Sequence, residues 1–255
     1  MEGKLNFLSR FKISIFKIKE YSLFLKEGLN KAIGYILTLS VIIGIVLGIL
    51  QLFMLNTLEN SMKLLLSEER FKFEINESML DFKESPYKEE QGSAVIIINS
   101  KKTLADSESI KNITVHKDMS SAFLKDGMVV RYNGHEYKFK YSDIPYLDKH
   151  IDNEVALNIL NKAKPIKYIV VIVIILVTYI SLMFNSFIIS IAGLIANKMN
   201  GSKLKYKDIL KISLYSLTLP TIAKLFFPIG SLSIIISAIY VSIAINNITR
   251  KEILL

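Results

Sequence analysis

The sequence predicts a mostly α-helical membrane protein with four transmembrane helices and an exported α+β domain inserted between helices 1 and 2. Three observations carry that prediction. Apolar residues make up 51% of the 255 and fall into long uncharged runs, of the roughly 20 residues needed to cross a hydrocarbon core of about 30 Å. Charge is segregated as well, because residues 57–164 hold 16 Lys+Arg against 18 Asp+Glu while the remainder holds 16 against 5. The formal charge of +9 thus divides into −2 for the middle of the chain and +11 for the segments beside the apolar runs. Within the middle segment, short alternating runs and turn residues replace the long apolar ones.

Residues 1–31 read as a basic amphipathic helix in the cytoplasmic headgroup region. Leu8, Phe11, Ile15, Ile18 and Leu25 recur at helical spacing, with the lysines mostly elsewhere. Phe11 to Ile15 also alternates with period two, but a basic segment abutting a span favours the helix. Residues 32–56 form transmembrane helix 1, uncharged from Ala32 to Leu55. Gly44 and Gly48 make a small-xxx-small pattern extended upstream by Ser40, which allows close helix packing; a lipid-facing stripe is the alternative. The run exceeds the 7–15 residues typical of a cleaved signal and lacks a small-x-small cleavage site, so an anchor is expected.

Residues 57–165 form the exported α+β domain. Thr57 to Arg70 continues a helical face through Leu58, Met62, Leu65 and Leu66. Strand-like runs follow at Arg70–Ile75, Ala94–Ile98, Asn112–His116, Gly127–Tyr132 and His135–Tyr141. Asn133-Gly134 is the strongest hairpin signal, since both residues tolerate positive φ. Asp143–Asn161 reads as a helix covering a sheet face, and Pro165 separates it from the next span.

Transmembrane helix 2 occupies residues 166–197, uncharged from Tyr168 to Ala196. Its Asn185 fits a hydrogen bond to a neighbouring helix better than a substrate contact. A basic cytoplasmic loop, 198–211, carries Lys198, Lys203, Lys205, Lys207 and Lys211. Helices 3 and 4, residues 212–227 and 232–248, are joined by a turn at 228–231, Pro228-Ile229-Gly230-Ser231; a re-entrant hairpin is the alternative. The tail, 249–255, brings Arg250 and Lys251. With four spans all three basic clusters share one side, which places both termini in the cytoplasm. The basic excess therefore implies anionic lipid headgroups as partners, and no nucleic acid.

Chemistry-bearing patterns are sparse. The absence of cysteine excludes disulfides and cysteine-ligated metals. His116, His135 and His150 stand apart without a metal-binding frame, and neither a nucleophile elbow nor a phosphate loop occurs. The spans lack Asp, Glu, His and Arg, which weighs against intramembrane proteases and proton-coupled carriers. Lys224, between Pro220 and Pro228, is the one charge at membrane depth. Snorkelling or structural pairing is weighed there against ligand or partner contact, since the turn proline lies only four residues away. No catalytic, cofactor-binding or metal-binding residue is identified, and no cofactor is expected.

Two stretches carry a family resemblance, Phe16-Lys17-Ile18-Lys19-Glu20-Tyr21 and Leu204 through Pro220, LKYKDILKISLYSLTLP. With the order of spans they make the chain resemble the bacterial membrane proteins of domain-of-unknown-function family 1189, found mainly in Firmicutes, across nearly its whole length. The helical part is also distantly similar to Yip-type multispan proteins, whose eukaryotic members act in membrane trafficking. Some family members carry a maltodextrin-utilisation label, which implies proximity to sugar uptake, and no site residues transfer. The expected function is non-enzymatic: an accessory, sensing or assembly factor with an extracytoplasmic binding domain, acting with a membrane-protein partner or as a homo-oligomer. The alternatives are a sugar-transport subunit using Asn185 and Lys224, then a membrane-embedded enzyme.

Overall fold

The computed structural model describes residues 5–253 apart from Val115, His116, Asp118, Asn133, Tyr146 and Asp148. The chain divides into two compact units, Met1–Phe53 with Lys167–Leu255, and Met54–Ile166. Four helices are long and apolar enough to cross a membrane, as expected of a multi-pass membrane protein: Leu29–Ser67, Ile166–Met199, Tyr206–Phe226 and Leu232–Lys251. A sheet-containing α+β unit lies between the first two, as the sequence predicted.

In the helical unit, α3 (Leu29–Ser67) and α6 (Ile166–Met199) are the long helices, of 39 and 34 residues. At roughly 1.5 Å per residue, α3 is about 58 Å long and exceeds a bilayer's hydrocarbon thickness. The third membrane-length segment is two helices, α7 (Tyr206–Ser216) and α8 (Thr218–Phe226). Pro220 sits in the first turn of α8, where a missing N–H is tolerated and α7 cannot simply continue. Gly230, at φ +45°, makes the turn into α9 (Leu232–Ile253).

Burial ranks these helices. Of the apolar window in Tyr206–Phe226, 61% is buried, against 6% in α6. Every residue from Ile209 to Ser216 is buried, so α7 is the central element, whereas α6 turns most of its isoleucines, valines and leucines outward. A surface of that composition is suited to lipid rather than water.

Two expectations are corrected here. The third helix starts at Tyr206, not Ile212, because Lys207, Asp208 and Lys211 do not form a loop: Lys211 is internally paired and buried. The segment read as one amphipathic helix is three pieces, α1 (Phe7–Phe16), a 3-10 turn (Ile18–Glu20) and α2 (Ser22–Leu25). Its buried residues are Ile13, Ser14, Tyr21 and Phe24, the apolar ones packed with the core of α3, α7 and α9; of the anticipated apolar face Phe11, Ile18 and Leu25 pack partly buried against that core and Leu8 is exposed. Local periodicity gave the face only in part because the docking partners come from distant parts of the chain.

The inserted unit holds two sheets. The first has order β2-β1-β8, from Met79–Phe82, Phe73–Asn76 and Ile151–Asp152. The second has order β3-β4-β5-β6-β7, from Tyr87–Gln91, Ala94–Asn99, Met119–Leu124, Gly127–Tyr132 and His135–Lys140. All pairings are antiparallel except β4 with β5, joined by a crossover through α4 (Glu108–Thr114). The strand expected at Asn112–His116 is corrected: its first three residues end α4, and Val115 and His116 lie outside the described residues. A capping box between Thr103 and Asp106 starts the helical connection, and Ile110 anchors it on Val95, Ile97, Leu124 and Val129.

The helix expected over Asp143–Asn161 shortens to α5 (Asn153–Ala163), because Asp152 caps its first turn by accepting from the Val155 N–H at 2.9 Å. The β6–β7 hairpin forms at the predicted turn with Gly134 at φ +80°; Asn133 lies outside the described residues. Strands β2, β3 and β5 went unread. The turn between β1 and β2 uses Glu77 and Ser78, both at positive φ, residues that carry no turn signal in sequence.

Gly44 and Gly48 let α3 and α6 approach closely. A Cβ on Gly44 would lie 2.6 Å from Ile175 Cγ1 and 2.8 Å from its Cα, and one on Gly48 would lie 2.7 Å from Val171 Cγ1. Gly44→Leu and Gly48→Leu are each expected to destabilise the detergent-solubilised protein by about 1–3 kcal/mol through overpacking. Gly34→Ala, with nothing within 4 Å, should leave the thermal midpoint unchanged; equal midpoints for all three variants and the parent would contradict this packing.

Candidate functional site

Two constellations of polar side chains stand out, one in each unit. In the helical unit Lys211 is 6% exposed. Its ammonium donates to the carbonyls of Leu25 at 2.9 Å and Glu27 at 3.0 Å, and pairs with Asp208 Oδ1 at 2.8 Å. Three donors thus meet three acceptors. Asp208 lies one turn earlier on α7, whereas the two carbonyls belong to the open C-terminal end of α2, where helix carbonyls lack intrahelical partners.

The same corner holds a bidentate pair. Arg10 Nε and an η nitrogen donate to Glu27 at 2.9 and 2.8 Å, with side chains 13% and 14% exposed. Glu27 also accepts from the Tyr215 hydroxyl at 3.1 Å, and its carboxylate raises the Arg10 pKa, fixing the guanidinium in its charged form. Phe24 stacks on Tyr215 with centroids 3.7 Å apart, and the Tyr35 hydroxyl shares a 2.9 Å hydrogen bond with Thr218. Tyr21 donates to the Ser14 carbonyl at 2.8 Å, and burial pushes its phenol well above the ordinary value. These contacts lock residues 7–27 onto α7, and Tyr240 and Lys251 of α9 add hydrogen bonds to the carbonyls of Ile15 and Lys19 at 3.2 and 3.0 Å. Each charge in this corner is met by a fixed partner.

In the inserted unit, an open groove of about 560 Å³ is lined by Lys72, Phe73, Glu74, Asp81, Lys83, His150, Asp152, Asn153 and Glu154. Pairing of β1 with β8 sets Glu74 directly opposite Asp152, a like-charge pair that is unfavourable alone. His150 relieves it by turning Nδ1 to Glu74 at 3.1 Å and Nε2 to Asp152 at 3.5 Å. Because the two ring nitrogens serve different carboxylates, the three groups do not converge on a metal; no metal-sized cluster occurs among the described residues. Asn153 fixes the floor, its amide donating to the carbonyls of Leu66 at 2.7 Å and Phe71 at 3.0 Å and its oxygen accepting from the Phe73 N–H at 2.9 Å.

The residues singled out from sequence do not assemble. Gly44 and Gly48 pack against α6. Asn185 is half-buried on α6 and Lys224 is exposed in the last turn of α8, and neither makes a hydrogen bond or ion pair among the described residues. Of the histidines, His135 is exposed on β7, His150 enters the groove and His116 lies outside the described residues. Sequence reading assigned no pairing to Arg10, Glu27 or Tyr215 and took Lys211 for a loop cation. The available signal for Lys211 was its position between Leu210 and Ile212 with Asp208 one turn away.

The family described as Protein of unknown function (DUF1189) matches the chain over residues 8–249. No curated protein and no solved structure matches it significantly.

Two outcomes follow from this geometry. Glu27→Ala, which strands the Arg10 guanidinium, and Lys211→Met, which strands two carbonyls, are each expected to destabilise the helical unit by about 2 kcal/mol. Trypsin should then cleave within residues 5–27 at least tenfold faster; cleavage at the parent rate would contradict the docking. The inserted unit should be acid-labile. The backbone N–H of Val155, then His150, holds the Asp152 carboxyl below its ordinary value, and the side chains of Lys88 and Lys117 hold Glu90 down to about 2. Groups with depressed folded values stabilise above their unfolded pKa, near 4, and lose that contribution as pH falls. Thermal midpoints should therefore drop between pH 5 and pH 2.5, and a flat profile would contradict the assigned pairs.

Proposed function

The chain belongs to the DUF1189 family, and on that premise we propose that it is a non-enzymatic accessory or sensing protein of the bacterial cytoplasmic membrane. Its inserted unit is the extracytoplasmic binding domain, and both termini are cytoplasmic. The carrying observation is the division of chemistry between the units. In the membrane-length helices the serine and threonine hydroxyls bond to backbone one turn back, as Ser40, Ser213, Thr221 and Ser237 do. The buried ion pairs of the helical unit occupy the Arg10, Glu27 and Lys211 corner and are mutually satisfied, while its other described charges, Lys224 among them, lie at exposed or half-buried positions. The apolar runs 32–55, 168–196 and 212–248 hold no Asp, Glu or His that could serve as a general base or proton relay. The open groove at His150, with lysine and carboxylate side chains along its walls, has the polar, mixed-charge lining that a binding site for a polar ligand or a partner loop requires.

On the cytoplasmic side, exposed Leu8, Lys12 and Phe16 lie four residues apart on α1. That spacing puts them on one helix face, which enters the headgroup boundary of an anionic leaflet. The transport reading gains nothing from Asn185 and Lys224, which do not meet.

The cysteine-free chain makes topology directly testable. A membrane-impermeant maleimide should label Lys83→Cys in intact cells and Lys203→Cys only after permeabilisation. The reverse pattern would overturn the assignment of sides. Cross-linked native membranes should yield a partner with the parent protein and not with the groove variant Lys72→Glu/Lys83→Glu; a partner captured equally by both would move binding away from the groove.

A further inference from the structure

Strand β7 ends the five-stranded sheet and, among the described residues, has no neighbouring strand on its outer side. All six of its residues are exposed. In an antiparallel pair alternate residues exchange their backbone bonds with the neighbour, so half of the N–H and C=O groups of β7 point away from β6. Such a row is a template for another strand.

The adjoining sheet face is open over two of its rows, while the row of Ile98, Phe123 and Met128 packs against Ile75, Leu80, Tyr141 and Ile151. Cross-strand register places Ile96, Ser121, Val130 and Tyr137 in one row and Ala94, Met119, Tyr132 and His135 in the next. On the opposite face Val95, Ile97, Ala122 and Val129 are covered by Ile110 and Leu104. On this one Tyr132 and Tyr137 remain 57% and 52% exposed, and Ile96 and Met119 are exposed beside them. An apolar, aromatic face running up to an unpaired edge is the composition of a protein interface rather than of a free surface.

The edge residues state what fits. Glu136, Lys138 and Lys140 share one face of β7, and His135, Tyr137 and Phe139 share the other. We propose that β7 pairs antiparallel with β7 of a second copy of this chain, in the register centred on Tyr137. Glu136 of each copy then faces Lys138 of the other, His135 faces Phe139, and the two Tyr137 rings meet. Lysine on an edge strand ordinarily repels an incoming strand. Here Lys138 is offset by two residues from Glu136, which makes the edge complementary to itself in this register, while Lys140 comes opposite Gly134 beyond the paired strands. The two open faces join into one continuous surface, and the sheet becomes ten-stranded. The pairing does not use the groove at His150, so it stands or falls separately from the proposed binding site.

The full-length chain tests this without further engineering, since it contains no cysteine. Residues directly opposite in an antiparallel pair have Cα atoms about 4.5–5.5 Å apart, within disulfide range. In native membranes treated with copper phenanthroline, Tyr137→Cys is expected to form a covalent dimer at least tenfold faster than Lys101→Cys, a control in the exposed turn after β4. Equal rates, or monomer only, would overturn the pairing. Adding Lys138→Glu to Tyr137→Cys sets Glu136 against a glutamate at both ends of the junction and should slow cross-linking at least tenfold; an unchanged rate would overturn the register. The unsubstituted protein provides an independent measurement: its mass in detergent by light scattering should be that of a dimer, shifting to monomer with Lys138→Glu, and a parent monomer would refute the proposal.

Discussion

The ammonium of Lys211 is the group around which the helical unit is arranged. A charge removed from water is tolerated only when its donors are all met, and here Asp208 supplies one acceptor from the same helix while Leu25 and Glu27 supply the others. Those carbonyls exist as free acceptors only because α2 ends where it does. The amino-terminal segment is thereby tied to a helix nearly two hundred residues later in the chain. Once Glu27 is held through its backbone, its carboxylate is positioned to take the Arg10 fork and the Tyr215 hydroxyl. The Phe24 and Tyr215 rings then close over the apolar side. Each contact presupposes the one before it, so a cation within the most buried helix specifies which segments assemble and in what order along the sequence they matter.

This dependence separates what the sequence reveals from what it conceals. Membrane-length helices announce themselves because the requirement is local: about twenty consecutive residues must be apolar, and Leu29–Ser67 and Ile166–Met199 contain such runs. Gly230 and Gly134 were readable for the same reason, as single residues adopting positive φ. Lys211 was misread because its partners are remote, and a lysine followed by an apolar run looks like the end of a loop. The faces of α1 and α2 were read only in part on the same account, Phe11, Ile18 and Leu25 packing on the core while Tyr21 and Phe24, the segment's most buried rings, went unassigned. In the inserted unit, β4, β6 and β7 carry β-branched or aromatic runs, whereas β3 is Tyr87-Lys88-Glu89-Glu90-Gln91 and becomes a strand through its neighbour β4. Its propensity is overridden by pairing. The groove depended on the same kind of information, since Glu74 and Asp152 meet only through the β1–β8 register.

The inserted unit and the helical unit also manage polarity in opposite ways. In the former, charges are paired across strands and along turns at the surface, with Arg131 set on Glu136 and Lys117 on Glu90, so the unit responds to pH and salt. In the latter, the buried ionic groups are few and matched at the Arg10, Glu27 and Lys211 corner, and much of the polarity between its helices consists of hydroxyls.

The hydroxyls of the helical unit have a mechanical consequence. Ser40, Thr178, Ser213, Thr221, Ser237, Ser242 and Thr249 each return a hydrogen bond to the carbonyl four residues back on their own helix. They fill narrow seams without fastening one helix to the next. Side-chain bonds between helices stand at particular points, Tyr35 with Thr218 and Ser190 with Tyr206. Along the α3–α6 seam at Gly44 and Gly48 the fit is one of shape, so what those glycines specify is how near two backbones come rather than which polar groups meet.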